Sequence, residues 1–370
     1  MVVAITRPTK IKISKAAVKH NIQAVRNNTQ ARLIFLAVKA NAYGFGLVEM
    51  AQASVAGGVD GFGVATLDEA LELRKAQIDV PILVMGIVPA QYAQLMAENH
   101  IMATVSDMKW LTDAQKQLQG TNPLLINIGV DTGMGRIGFR DEQTILEAIK
   151  FIQDHPQQFT YQGLMTHFSD ADSTSDEYFH KQLKRWHAMT DRLPQPPMVH
   201  VANSGAAMYH ADELPTKMVR VGSVVYGQEP SRGEIKPYNY LLPVLELESE
   251  LVFVKQLPAD EGISYGHKYL TQAGDWIGTV PIGYGDGLNT NLVGYEVLVN
   301  GEIAKVVGKI AMDQLMVLLP HELPVGAKVT FIGKSGDQER TLEDMANYTG
   351  IDPWYLTTAF QERIKRELVD

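Results

Sequence analysis

Residues 33–38 form an unbroken apolar run, Leu-Ile-Phe-Leu-Ala-Val, that ends on Lys39 and passes into Ala-Asn-Ala-Tyr43-Gly-Phe-Gly46. An amine at that place has apolar bulk behind it and a glycine-bearing loop in front. Burial disfavours the ammonium and lowers the pKa, leaving a free amine able to attack a carbonyl. A lysine that merely leaves a strand and snorkels into solvent would read the same. Four more stretches carry polar groups just after apolar runs. Asp131 to Arg136 lies in Val-Asp-Thr-Gly-Met-Gly-Arg-Ile-Gly-Phe, His167 in Thr-His-Phe, Ser204 in His-Val-Ala-Asn203-Ser-Gly, and Arg220 in Val-Arg-Val-Gly222-Ser223. Gly133 to Gly138 has formal G-x-G-x-x-G spacing, but the dinucleotide fingerprint also requires a preceding strand, a following helix and a later acidic residue. Asp131 and Arg136 would crowd a pyrophosphate there. A lone histidine is ordinarily a hydrogen-bonded core residue. No H-E-x-x-H occurs, and His180 with His187 read as sharing a helix face, so no metal site is expected. Ser204 opens a helix whose free amides suit an anion, although a plain N-cap would look identical.

The elements that must position these groups alternate. Strand-like segments fall at 33–38, 61–64, 81–85, 102–105, 124–128, 161–166, 198–202 and 218–221, after an opening strand at 9–13 and a helix from 14 through 28. Helical stretches lie between them: Thr66-Leu-Asp-Glu69 is a capping box, the segment from Asp141 is amphipathic and stops before Pro156, and 175–192 reads as another helix. Eight strand–helix alternations suit a (β/α)₈ TIM-type barrel; an open doubly wound sheet is the alternative. The barrel is preferred because Lys39, Asp131–Arg136, His167, Asn203–Ser204 and Gly222–Ser223 follow different strands, whose carboxyl ends a closed barrel brings to one face. From about 237 the pattern becomes strand-like at 244–257, 276–282, 296–299, 303–307, 314–319 and 328–332, with Asn300-Gly301 a hairpin signal. Helices are expected at 342–348 and 354–368. The division is therefore a barrel over 1–236 and a mostly β domain over 237–370, with 232–237 as linker.

The 370-residue length supports two domains. A formal charge of −9 argues against nucleic acid or an anionic membrane as partner. The absence of cysteine excludes disulfides and thiolate chemistry, and the N-terminus lacks the pattern of a signal peptide. A cytoplasmic location is the simplest expectation.

The stretch Ala37-Val-Lys39-Ala-Asn-Ala-Tyr43-Gly resembles the cofactor-lysine signature of the alanine racemases, fold-type III pyridoxal 5′-phosphate enzymes, and the later motifs extend the resemblance over nearly the whole chain. The resemblance implies that Lys39 carries the cofactor covalently and that Tyr43, Ser204, Gly222 and Ser223 bind its phosphate, with Asn203 alongside. It implies that Arg136 contacts the cofactor's phenolic oxygen and the substrate carboxylate, a role suited to a planar, permanently charged fork. His167 is placed against the cofactor ring and Arg220 at its pyridine nitrogen. Arginine does not give up its proton, so it weakens the cofactor as an electron sink and favours racemisation over transamination. Ile263-Ser-Tyr265-Gly matches the catalytic tyrosine, with Tyr284, Met312 and Asp313 in further matching segments; alone, Tyr265 reads as a strand tyrosine. In the family these residues enter the partner subunit's site, which implies a homodimer with shared sites.

The implied reaction is interconversion of L- and D-alanine, supplying D-alanine for the bacterial cell wall, with Lys39 and Tyr265 serving opposite faces of Cα. A phenol ordinarily titrates near pH ~10, so Tyr265 would need positive charge nearby, expected from His167 and Arg220. Tyr265, Tyr284 and Met312 are expected to wall off a small side-chain pocket. Two departures stand out. Gly129 replaces a lysine that many members carbamylate, so another anion or a water must orient Arg136, and a bound chloride is expected. Trp354 lies where the family has a phosphate-binding tyrosine, with Tyr355 one residue later. Alternatives are a broad-specificity or serine racemase, a basic-amino-acid decarboxylase, which Arg220 disfavours, and a non-catalytic pyridoxal-phosphate carrier, which the second domain disfavours.

Overall fold

The computed structural model describes residues 2–120, 122–235 and 240–370. Two compact units divide the chain: Lys15–Ala42 with Met50–Pro243, and Met1–Ser14 with Tyr43–Glu49 and Val244–Asp370.

Nine strands occupy the first part of the chain: β1 (Lys10–Ser14), β2 (Leu33–Ala37), β3 (Gly61–Val64), β4 (Ile82–Val84), β5 (Ile101–Val105), β6 (Leu124–Gly129), β7 (Phe159–Met165), β8 (Met198–Ala202) and β9 (Met218–Val221). Strands β2 to β9 form a closed parallel barrel, sealed where Leu33 pairs with Met218. The open-sheet alternative is therefore excluded. Phe35, Leu83, Met102, Met165 and Met218 pack together inside, with Leu33, Met85, Leu125 and Met198 against them. The two-residue spacing 33/35 and 83/85 is the strand period that turns alternate side chains inward. The surrounding helices bury the opposite pattern. Helix Glu142–Asp154 buries Ile145, Ala148, Ile149 and Ile152, one stripe at helical spacing, and Asp141 caps its first turn. The Thr66/Glu69 capping box forms as expected.

The other unit is built on a ten-stranded sheet. Asn300 and Gly301 take left-handed φ values of 49° and 91°, and Val299 pairs with Glu302, a two-residue hairpin. Three expectations are corrected. β1 pairs antiparallel with Leu245–Glu250 and parallel with Lys365–Val369, so Lys10–Ser14 belongs to this sheet, and the described residues before it go with this unit and not with the barrel. Segment 244–257 is two strands, because the chain leaves the Lys328–Ser335 strand and, from Val252 onward, bonds to Asp275–Val280. Residues 354–368 are not one helix. Helix Pro353–Ala359 stops, and Lys365–Val369 is a strand because β1 offers it an edge, a long-range pairing that outweighs local preference. The expected 236/237 boundary, with the end of the linker, lies outside the described residues. No described helix is long and apolar enough to cross a membrane.

Candidate active site

The carboxyl ends of the barrel strands enclose a cavity of about 240 Å³. Lys39 reaches it from β2, Ala65 from β3, Met85 and Gly86 from β4, Gly129, Val130, Met134, Arg136 and Ile137 from β6 and its loop, Met165 to His167 from β7 and Arg220 from β9. Among the described residues, three cationic side chains, Lys39, Arg136 and Arg220, line it, and no carboxylate does. Such a wall suits an anionic ligand and an electrophile for the amine.

Each cation is held differently. After Lys39 the backbone runs left-handed through Ala40, Asn41, Ala42 and Tyr43, with φ between 52° and 56°. Non-glycine residues resist this conformation. Glu69 supports it: one carboxylate oxygen accepts from the Ala40 amide (2.6 Å), and the other from the Ala65 and Thr66 amides. Burial and then Arg136 lower the Lys39 pKa, with Glu69 opposing them.

Arg136 sits on a loop tied down along its length. Asp131 Oδ1 accepts from the Gly133 and Gly135 amides, Tyr178 donates to the Gly133 carbonyl and Arg185 to that of Thr132. Buried Gln182 donates to Thr132 Oγ1 and the His167 carbonyl, joining the β6 and β7 loops. These bonds, and not a dinucleotide, account for the glycine-rich spacing. At Gly129 an added Cβ would lie 3.4 Å from Ser106 Oγ, a buried hydroxyl with no hydrogen-bond partner among the described residues.

Arg220 is 7 % exposed and donates only to neutral acceptors: His200 Nδ1 (2.7 Å) and the carbonyls of His200 and Thr166 (both 2.6 Å). Burial and then Arg136 bring its pKa down to about 10. Burial, then Arg220, Arg136 and Lys39, push His167 down to about 3. His167 is therefore neutral at pH 7 and cannot supply the positive charge expected of it, whereas Arg220 stays charged.

Ser204 Oγ accepts from the Gly222 amide (2.9 Å), so two expected phosphate-binding residues meet, with Ser223 next in the chain. Asn203 is used structurally: Oδ1 caps the Ser204–Tyr209 helix and Nδ2 donates to the Phe168 carbonyl. In the other unit Tyr43 packs edge-on against Trp354 with ring centroids 5.1 Å apart, and burial raises its pKa to about 12. Tyr355 is 75 % exposed, so the one-residue shift puts tryptophan beside Tyr43. Tyr265, Tyr284 and Met312 are exposed apolar groups of this unit, and Asp313 is exposed too. Ser264 Oγ donates to the Lys309 carbonyl, while the Tyr284 and Gly285 amides donate to the carbonyls of Ala311 and Met312, which gathers their loops. Buried Asp286 anchors the 283–287 turn by accepting from the Gly283 amide and pairing with Arg7 and Arg363.

Asn127 and His200 were not singled out by sequence. The signal was present as a polar residue inside the apolar run Leu-Leu-Ile-Asn127-Ile of β6.

Residues 13–230 match the family description "Alanine racemase, N-terminal domain" and residues 244–368 match "Alanine racemase, C-terminal domain". A protein of Oenococcus oeni named lysine racemase is 47 % identical over the full length of both chains. The crystal structure of alanine racemase from the same organism superposes with a TM-score of 0.94 at 46 % identity, covering both chains entirely. A histidine racemase from Leuconostoc mesenteroides superposes at 0.96 with 35 % identity, again over the whole of both chains. With both of its parts matched and full-length relatives at this identity, the chain belongs to the alanine racemase family.

Proposed function

We propose that this protein is a pyridoxal-phosphate-dependent racemase that interconverts L- and D-alanine as a homodimer. The observation that carries the reading is the barrel-mouth cavity in which an amine of lowered pKa, Lys39, stands with Arg136 and Arg220 and, among the described residues, no carboxylate. The donor set fits pyridoxal phosphate: an amine for its aldehyde, Arg220 for its ring nitrogen, and the Ser204, Gly222 and Ser223 segment for its phosphate. When bound, that cofactor supplies the electron sink that makes the substrate Cα proton acidic.

The chain's own residues do the rest. Arg136 fixes the substrate carboxylate, and its Asp131-clamped loop limits the motion of that contact. Arg220, donating to neutral acceptors and never accepting, keeps its proton and so restrains the sink. Lys39 Nζ takes or returns the Cα proton on one face, and the partner subunit's Tyr265 does so on the other. Two proton carriers on opposite faces permit inversion. Exposure of Tyr265, Tyr284 and Met312 on one patch of the second unit agrees with a role in a neighbouring subunit. Such an enzyme would supply D-alanine for the cell wall in the cytoplasm.

A second reading, racemisation of a basic amino acid, is favoured by the relatives named lysine racemase and histidine racemase. Incubation with pyridoxal phosphate and separate L-alanine, L-lysine, L-histidine and L-serine, followed by chiral chromatography, decides between them. Faster D-alanine formation supports the first reading; faster D-lysine or D-histidine formation replaces it with the second; no D-enantiomer from any substrate rejects both.

A further inference from the structure

Behind Arg220 the barrel interior contains a polar column that no catalytic role uses. Arg220 Nη1 donates to His200 Nδ1 at 2.7 Å. A guanidinium has only donors, so Nδ1 must present its lone pair and the imidazole proton must sit on Nε2. His200 Nε2 lies 3.0 Å from Asn127 Oδ1. Both residues are 0 % exposed. The place is kept clear by Gly163 of β7, where an added Cβ would lie 1.8 Å from Asn127 Oδ1 and 3.3 Å from His200 Nε2.

The backbone is adjusted at the same residues. The register between β6 and β7 shifts between Ile126 and Asn127, and that between β8 and β9 shifts between His200 and Ala202; these are the barrel's two irregularities among the described residues. Such local bulges re-aim side chains beside active sites. Two bulges and one cleared position thus converge on a single donor–acceptor chain.

We propose that Asn127 is a positioning residue: by accepting the Nε2 proton of His200 it holds that ring in the tautomer whose Nδ1 anchors Arg220 at the mouth of the barrel. The amide orientation follows from the same logic. With Nδ2 turned to His200, the ring would have to carry its proton on Nδ1, opposite an Arg220 that can only donate. The consequence for catalysis rests on the proposed racemase reading, since it concerns how firmly Arg220 faces the cofactor ring. The tautomer claim does not rest on it.

The test has two arms. Long-range ¹H–¹⁵N correlation on cofactor-free protein at pH 7 should report His200 protonated on Nε2 and bare on Nδ1. Asn127→Leu, similar in shape but unable to accept, should mix the His200 tautomers. In the loaded enzyme it should lower kcat at least tenfold while KM, set at Arg136, stays within about twofold. Asn127→Asp, which restores an acceptor, should return the Nε2–H tautomer and recover kcat to within about threefold of wild type. A wild-type His200 protonated on Nδ1 or on both nitrogens overturns the proposal. So does a folded Asn127→Leu with unchanged tautomer and kcat, or an Asp variant no better than Leu in both readouts. If wild type racemises nothing, the racemase reading fails, and the tautomer arm still decides the role of Asn127.

Discussion

The neutrality of His167 leads to a quantitative prediction. Its pKa in the folded chain lies near 3, pushed down by burial and then by Arg220, Arg136 and Lys39, whereas an unfolded imidazole titrates near ~6.5. The unfolded state binds the extra proton between these values, so stability rises with pH across that window. The contribution is fully present above about pH 6.5 and is lost as the pH falls toward 3. Between pH 7 and pH 5 the unfolded ring goes from about a quarter to nearly fully protonated while the folded ring stays bare. Integrating that difference gives about 2 kcal/mol, and any folded value below ~4 gives nearly the same figure by the same linkage. The perturbation is His167→Gln, which retains the His167 carbonyl that Gln182 engages. Urea unfolding of cofactor-free protein at both pH values is the assay. Wild type should lose about 2 kcal/mol more than the variant on going to pH 5. His200, depressed by burial and by Arg220, contributes with the same sign in both proteins. His180 and His321, raised by Glu213 and by the Glu322 carbonyl respectively, act in the opposite sense in both. All three cancel in the difference. Equal losses in the two proteins would refute the reasoning.

Three further outcomes follow from the geometry. Asp286→Ala strips a fully buried carboxylate from the partly exposed Arg7 and Arg363; thermal or urea unfolding should show a loss of about 1.5–3 kcal/mol, the scale of hydrogen bonds to a charged group. Asp131→Ala releases the two amides that shape the Arg136 loop; steady-state kinetics should show KM raised about tenfold with a smaller change in kcat, as expected when a mainly binding contact is loosened. Crystals soaked in bromide should give anomalous density between Arg136 and the Gly129–Ser106 edge of the cavity, and a clean map there removes the expectation that a halide orients Arg136.

The barrel was legible because its strands announce themselves locally. Runs such as Gly61–Val64, Met198–Ala202 and Met218–Val221 are apolar, short and bounded by turn residues; Lys39, Arg136 and His167, which follow other such runs, line one cavity, whereas Ser204 and Gly222 meet each other outside its lining. What was not legible depends on pairing between distant parts of the chain. Lys365–Val369 has the composition of a helix end, and only the edge supplied by β1 makes it a strand. The same pairing moves Lys10–Ser14 out of the barrel unit. At the site, Lys39, Arg136 and His167 could be placed at the cavity from their positions after strands, whereas Arg220, inside β9, was reached through the family resemblance. The protonation of His167 could not, since it depends first on burial and then on three cations that only the folded barrel brings near. Asn127 was visible as a polar break in an apolar strand, but its meaning required His200 and Gly163 from two other strands.

The central claim is that Lys39 is the amine that holds the cofactor. Protein loaded with pyridoxal phosphate, reduced with borohydride and digested for peptide mass mapping tests it most directly. The account predicts a pyridoxyl-phosphate adduct on the peptide containing Lys39 and none after Lys39→Ala. An adduct on a different lysine, or one that survives Lys39→Ala, would contradict it.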